Sequence, residues 1–372
     1  MYAVVSHDSA CDAIRLLFSR AEKNPRVSRF PQDAWRLSRG ACVSGQRAYR
    51  AARVAETLAG LGLVARPVDL LVPAQTPRSS GDEARFHVWG GVVPRESLLC
   101  VADNLLVSGP ELIIVQLCSA QGKLDSLLDA HAAAVRAEAE LVASVEKSVK
   151  PVIDHPLEWE RIRRLVAATV VACEFSGTYR LGVGSGKAAY HASRLMDARS
   201  LGRVIAEVGK SQGTRRARRV GELMLEGSAS PMETALALML TLPVDFGGFG
   251  LERPRLNQAV DVRHLREALS DRDAVTPDFL WAEQGVALEY DSAEFHTDRG
   301  GGQLSKDAMR AIILTSAGHR VFRVTSQVAK SLPRLSLLAR QLAHVLDVEL
   351  PEATPLQELR RHKLYMLLMP QK

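Results

Sequence analysis

Thr276-Pro277-Asp278-Phe279-Leu280-Trp281 and, past a turn at Glu283-Gln284-Gly285, Val286-Ala287-Leu288-Glu289-Tyr290-Asp291 decide how this chain is read. Two short apolar runs joined by a glycine-containing turn form a β-hairpin. Pairing them puts Asp278 and Glu289 on neighbouring strands. Strand side chains alternate, so Glu289 and Asp291 share a face. Carboxylates held that close repel one another, which raises one or more of their pKa values. A hard, oxygen-preferring cation such as Mg²⁺ or Mn²⁺ removes the conflict. Each acid also has a plainer reading: Asp278 as a turn former after proline, Glu289 as a lysine partner, Asp291-Ser292 as a turn. The joint pattern is more specific. His296 follows five residues after Asp291, and Lys306-Asp307-x-x-Arg310 opens a helix that continues Ala311-Ile312-Ile313-Leu314. Arg320-Val321-Phe322-Arg323-Val324-Thr325 then reads as a strand, so the whole is β-β-α-β.

Working outward, 372 residues favour two domains over one. The composition, 47% hydrophobic and 24% charged, is that of a globular protein, and 5% aromatics imply cores of Leu, Val and Ala. The net charge of +6 and an isoelectric point of about 9.2 permit nucleic-acid binding without requiring it. The five cysteines, Cys11, Cys42, Cys100, Cys118 and Cys173, show no CxxC spacing, which argues against a zinc site or disulfide framework and fits a reducing cytoplasm. No apolar run approaches the roughly 20 residues that span a bilayer, and Met1 to Asp8 lacks a signal-peptide pattern, so a cytoplasmic protein without a membrane partner is expected.

In the N-terminal part, Ser6, Asp8 or Ser9 can cap a helix over Cys11 to Leu17. The arginine-rich segment 26–62 reads as helical. Val68 to Pro73, Arg85 to Trp89 and Leu105 to Gly109 read as strands, the last running into a Pro110-opened helix over Glu111 to Cys118. Helices are expected from Leu124 to Val149 and from Trp159 to Cys173. Gly184-Ser185-Gly186-Lys187 is not a phosphate loop: Leu181 stands where its first glycine belongs and Ala188 where Ser or Thr is needed, so a flexible loop is expected. Lys210 to Arg219 packs five basic residues, Lys210, Arg215, Arg216, Arg218 and Arg219, into ten positions. Two readings stand there, a solvated helix face or linker and a surface that contacts nucleic-acid phosphates. Ser230-Pro231-Met232-Glu233 has the form of a helix start, with Glu233 complementing the helix dipole. Pro254 to Val260 reads as a strand.

The motif Pro277-Asp278-Phe279-x-Trp281-x-Glu283, then Ala287-x-Glu289-x-Asp291, His296, Asp307-x-x-Arg310 and Val321-x-Arg323-Val324-Thr325 resembles the very-short-patch-repair-like branch of the PD-(D/E)XK endonuclease superfamily over about residues 228–330. The resemblance implies a C-terminal restriction-endonuclease-like αβββαβ core in a protein of α/β (α+β) class. It implies Asp278 and Glu289 as metal carboxylates with Glu233 from the preceding helix, and Mg²⁺ or Mn²⁺ as cofactor. Asp291 stands in place of the superfamily lysine, His296 matches a catalytic histidine, and Asp307 and Arg310 match a helix pair framing the site. Ser292 replaces a glycine, and one histidine stands where two are frequent. Val5-Ser6-His7-Asp8-Ser9-Ala10, Leu70-Leu71-Val72-Pro73 with Arg78, His87-Val88 and Leu106-Val107-Ser108-Gly109-Pro110 are, more loosely, similar to AbiEi-like abortive-infection antitoxins. The expected division is therefore an AbiEi-like mixed α/β region over 1–150, a helical basic connector over 151–222, the nuclease-like domain over 223–350 and a C-terminal tail over 351–372. The expected function is metal-dependent hydrolysis of DNA phosphodiester bonds in phage defence or a toxin–antitoxin system. The alternative is a catalytically inactive DNA-binding antitoxin or transcriptional regulator of the same fold. DNA and a cognate toxin or antitoxin are the expected partners.

Overall fold

The computed structural model describes residues 3–19, 27–30, 35–36, 54, 56–60, 62, 67–73, 84–103, 105–119, 154–183, 187–211, 213–265, 273–291 and 302–369. Asp307 belongs to a described helix, but its side chain, His296 and the helix expected over 124–149 lie outside the described residues. The chain forms two compact units, Met1–Ala130 with Arg164–Met224, and His131–Arg163 with Leu225–Lys372. The stretch expected as a connector is thus divided, and most of it belongs to the first unit.

In the first unit, β1 (Ala3–Val5) leads into α1 (His7–Leu17), followed by β2 (Ser28–Arg29) and β3 (Trp35–Arg36). Strand pieces stand here where the arginine-rich pattern suggested helix. Pro25 and Pro31 interrupt that pattern, and a proline lacks the N–H a helix interior needs. Next come β4 (Val68–Pro73), β5 (Ala84–Trp89), β6 (Val92–Val93), β7 (Leu98–Ala102), β8 (Leu105–Ser108) and α2 (Pro110–Leu117). One mixed sheet runs β2-β7-β8-β1-β4-β5, with β1 parallel to β8 and β4 parallel to β5. The unit boundary falls inside α3 (Pro156–Ser176). Beyond it, β9 (Tyr179–Leu181) and β10 (Ala188–Tyr190) pair as an antiparallel hairpin flanking the stretch expected as a loop. Helices α4 (Ala198–Val208) and α5 (Thr214–Leu223) pack against α2, which is buried on every side. Gly213 starts α5 at φ +98°, and a Cβ there would lie 2.6 Å from the Val115 carbonyl oxygen, so the close approach of α5 to α2 needs a glycine. A buried ion pair braces this unit. Arg15 donates from Nε and Nη2 to Glu174 at 3.1 and 2.8 Å, and Glu174 also accepts from the Leu181 N–H at 3.0 Å.

In the second unit, α6 (Pro231–Thr241) is capped by Ser230, whose Oγ accepts from the Glu233 N–H at 3.1 Å, with Pro231 in the first turn. Then come β11 (Arg255–Leu256), β12 (Val260–Asp261), β13 (Ala274–Val275), β14 (Phe279–Trp281), β15 (Val286–Asp291), α7 (Gly302–Ser316) and β16 (Arg320–Thr325). Strands β11, β14, β15 and β16 form one sheet in that order, and β12 pairs with β13. Apart from that small ribbon, the order is αβββαβ, with β15 and β16 parallel across the α7 crossover. Leu280 and Ala287 pack with Ile313 and Leu314 of α7 in one apolar cluster. The stretch read as a single strand over 254–260 is broken by Asn257, which sits at φ +49°. Helices α8 (Ser326–Ala329), α9 (Leu332–Val345) and α10 (Pro355–Leu368) complete the unit. The stretch expected as a tail is a packed element: α10 lies against α6 and the 3₁₀ turn Val244–Phe246, and Arg360 and Lys363 both bond the buried Asp154 carboxylate at 2.9 Å. No described helix is long and apolar enough to cross a membrane.

Candidate active site

The hairpin register sets the geometry. Phe279 pairs with Leu288 and Leu280 with Ala287, and the next step puts Asp278 across from Glu289. Alternation then places Asp278 and Glu289 on the same face as Leu280 and Ala287, which is the face α7 covers. Arg310 of α7 reaches both acids. Its Nε lies 2.6 Å from Glu289 Oε1 and its Nη2 3.5 Å from Asp278 Oδ1, while Nη2 also donates to the Thr276 carbonyl at 2.7 Å. The other Asp278 oxygen accepts from the Tyr290 N–H at 2.7 Å. The central expectation, two carboxylates from separate strands meeting at one cation, has a counterpart in which the cation is a guanidinium.

The electrostatics are strained. Burial pushes the Asp278 carboxyl above its ordinary value, against the pull of the Tyr290 N–H and Arg310. Burial also pushes Glu289 up; Arg310 opposes this and the Asp278 charge adds to it. Although Arg310 Nε and Glu289 Oε1 are 2.6 Å apart, they do not meet hydrogen-bond geometry, and among the described residues neither buried atom has a hydrogen-bond partner. Arg323, opposite Glu289 in β16, is exposed and brings a second positive charge to this edge.

Glu233 and Asp291 do not join the pair. Glu233 Oε2 accepts from the Ala229 N–H at 2.9 Å and from Asn257 Nδ2 at 2.6 Å. Asn257 in turn donates its backbone N–H to the Asp278 carbonyl at 3.0 Å, so it ties Glu233 to the strand of Asp278 without bringing the carboxylates together. Asp291 lies one alternation beyond Glu289 and is half-buried. Among the described residues, no set of three or more His, Cys, Asp and Glu side chains is placed to hold a metal. A two-carboxylate site is nonetheless what Mg²⁺ ordinarily takes, because it keeps several waters and fills its remaining positions with substrate phosphate oxygens. A buried and a half-buried acid sharing one poorly aligned cation therefore fit that ion, provided that Arg310 swings aside.

The basic run of the first unit lies at the start of α5, where Arg215, Arg216, Arg218 and Arg219 are all exposed. Arg216 donates to the Cys118 carbonyl at 2.9 Å and Arg219 pairs with Glu222 at 2.7 Å. The basic side of this amphipathic helix is exposed, which both readings of the run require. Lys210 precedes α5 and lines a cavity.

Asn257 was not singled out from the sequence, nor was a cluster in the first unit: His7, Asp69, Arg85 and His87. Asp69 Oδ1 lies 2.7 Å from His87 Nε2 and 2.9 Å from Arg85 Nη1, and Asp69 Oδ2 accepts from Ser9 Oγ at 3.1 Å. The one available signal was polar residues interrupting the apolar strands Val68 to Pro73 and Arg85 to Trp89. No protein-family model, no curated protein and no solved structure matches this chain.

Proposed function

We propose that the second unit hydrolyses phosphodiester bonds in DNA with Mg²⁺ or Mn²⁺, which Asp278 and Glu289 hold. The observation that carries this reading is the meeting of the buried Glu289 and half-buried Asp278 carboxylates, from adjacent strands, at a single cation. When bound, the metal lowers the pKa of a water and stabilises the charge that builds on the phosphate. Asp278, fixed by the Tyr290 N–H at Oδ2, presents Oδ1, the oxygen that faces Arg310, and Glu289 presents its carboxylate beside it. Arg310, released from the acids, turns to a phosphate oxygen, and Arg323 faces the backbone from the exposed edge. His296 belongs to the proposal through the resemblance alone, as the group that polarises water or the scissile phosphate. Asp291 stands outside the pair, one alternation beyond Glu289, and Glu233 supports the Asp278 strand through Asn257. Arg215, Arg216, Arg218 and Arg219 supply sequence-independent phosphate contacts.

The test is incubation of the purified protein with plasmid and single-stranded DNA in Mg²⁺, Mn²⁺ or chelator. Cutting should need the metal and should be lost in both Asp278→Ala and Glu289→Ala. Metal-dependent cutting that survives either substitution would reject these roles. One observation favours the second reading, an inactive DNA-binding regulator or antitoxin with a protein partner: Arg310 already pairs with both acids. That reading expects salt-dependent DNA binding with no cutting under any metal.

A further inference from the structure

A cavity of about 460 Å³ opens in the first unit. Its lining combines apolar residues, among them Trp89, Val92 and Val208, with the polar residues His7, Lys210 and Ser211. His7 is held there unusually firmly. It is the first residue of α1, lies in the left-handed region at φ +49° and is only 3% exposed. Such a backbone persists in a non-glycine residue only where its surroundings over-determine it. Here the His7 N–H donates to Gln116 Oε1 at 3.1 Å, its Nδ1 lies 3.0 Å from Ser6 Oγ, and its ring stacks on His87 with centroids 3.7 Å apart. His87 is fixed by Asp69, and Asp69 by Arg85 and Ser9.

Three features of this lining point to a ligand. Nε2 of the buried His7 has no hydrogen-bond partner among the described residues, while Nδ1 is engaged. The Ser211 hydroxyl is buried and also unpaired. Lys210 is the single charged side chain of the lining and is exposed. Burial, reinforced by His87, holds the His7 imidazole down at about 3, so the ring is neutral and adds hydrogen bonding but no charge.

We propose that this cavity binds a small organic monoanion with a flat apolar body. The carboxylate or phosphodiester charge lies against Lys210. Its oxygens take hydrogen bonds from the Ser211 hydroxyl and from Nε2–H of His7, whose Nδ1 then accepts from Ser6. The body packs against Trp89, Val92 and Val208. One lysine beside a neutral imidazole matches a single negative charge, whereas a phosphate monoester dianion would leave charge unbalanced. The volume lies within the roughly 300–1,000 Å³ of small-molecule sites.

Titration calorimetry on the full chain tests this with four probes: 3′,5′-cyclic AMP (a phosphodiester monoanion), indole-3-acetate (a carboxylate monoanion), AMP (a dianion) and tryptamine (a cation with the indole body). One of the monoanions should bind with a Kd at or below about 1 mM, more tightly than AMP, and tryptamine should not bind. Whichever monoanion binds identifies the anion. Lys210→Ala, at an exposed site that should not disturb folding, should weaken that binding about tenfold or more, and Ser211→Ala should weaken it severalfold. His7→Asn, chosen because asparagine tolerates the left-handed backbone, should weaken it as well. The proposal is overturned if neither monoanion binds, if tryptamine or AMP binds more tightly, or if Lys210→Ala and Ser211→Ala both bind like the parent.

Discussion

Arg310→Met removes the cation shared by Asp278 and Glu289 while keeping most of the side-chain bulk. Deleting one partner of a buried ion pair costs about 3–5 kcal/mol. Arg310 is 30% exposed, Asp278 18% and Glu289 10%, so solvent screens part of the charge and we expect a loss of roughly 2–3 kcal/mol at pH 8. The sign of the pH dependence follows from the carboxyls. Both already sit above their ordinary values; Arg310 is the main restraint on Glu289 and, with the Tyr290 N–H, restrains Asp278, so its loss raises both further. A carboxyl with a raised folded pKa contributes its full stability below the unfolded value of about 4 and loses it as pH rises through the folded value. The variant should therefore be nearest the parent at pH 5 and weakest at pH 8. A divalent ion should replace the guanidinium, and Mg²⁺ at ten times its Kd should restore about 1.4 kcal/mol at pH 8. Urea unfolding followed by intrinsic fluorescence, at both pH values with and without Mg²⁺, gives these four numbers. Parent and variant midpoints that coincide at pH 8 would refute the ion-pair argument. Equal Mg²⁺ stabilisation of parent and variant would refute the idea that Arg310 occupies the metal's place.

Two further outcomes concern the first unit. Glu174→Ala leaves the buried Arg15 guanidinium with only a 3.5 Å contact to Asp12 and the Leu181 N–H without its acceptor, and should destabilise the unit by about 3 kcal/mol; a melting temperature unchanged in calorimetry would contradict this. The Asp8 carboxyl is pushed up to about 7 by burial, with Asp69 and Asp12 adding to it, so its folded pKa exceeds the unfolded one and stability should fall as pH rises from about 4 to 7. Asp8→Asn should flatten that dependence and exceed the parent in stability at pH 8, an effect of up to about 4 kcal/mol at 1.36 kcal/mol per unit. Parallel pH profiles for the two proteins would count against it.

The hairpin was legible because its register has one solution. Val286, Ala287 and Leu288 are fully buried and the turn ends at Gly285, at φ +62°, so a slip of one residue would turn Ala287 and Leu280 away from α7. The order of α6, the strands and α7 followed from capping and period. What the sequence could not show was which partner each acid would choose. Arg310 lies 32 residues from Asp278, and only the crossover of α7 brings them together. Asn257 was hidden for another reason: its left-handed backbone breaks what its neighbours present as a strand. Ser6 and Ser9 looked like helix caps. Ser6 does stand at the cap position, but its hydroxyl meets His7, while Ser9 meets Asp69, a choice made by β4 some 60 residues away. Polar side chains inside apolar runs, Arg15, Asp69, His87 and Glu174, were the visible sign of such long-range pairing.

The two units take turns along the polypeptide: first, second, first, second. Neither can therefore be complete when its opening segment leaves the ribosome. The first must wait for α4 and α5, and by then α3 has already been made. A fragment that stops near residue 130 would lack the Glu174 partner of Arg15, and one that starts near residue 225 would lack the Asp154 that Arg360 and Lys363 hold. Dissection of this protein into separately expressed halves should thus give two pieces that are each short of a buried counter-charge, and activity lost on cutting would say nothing about which half carried it.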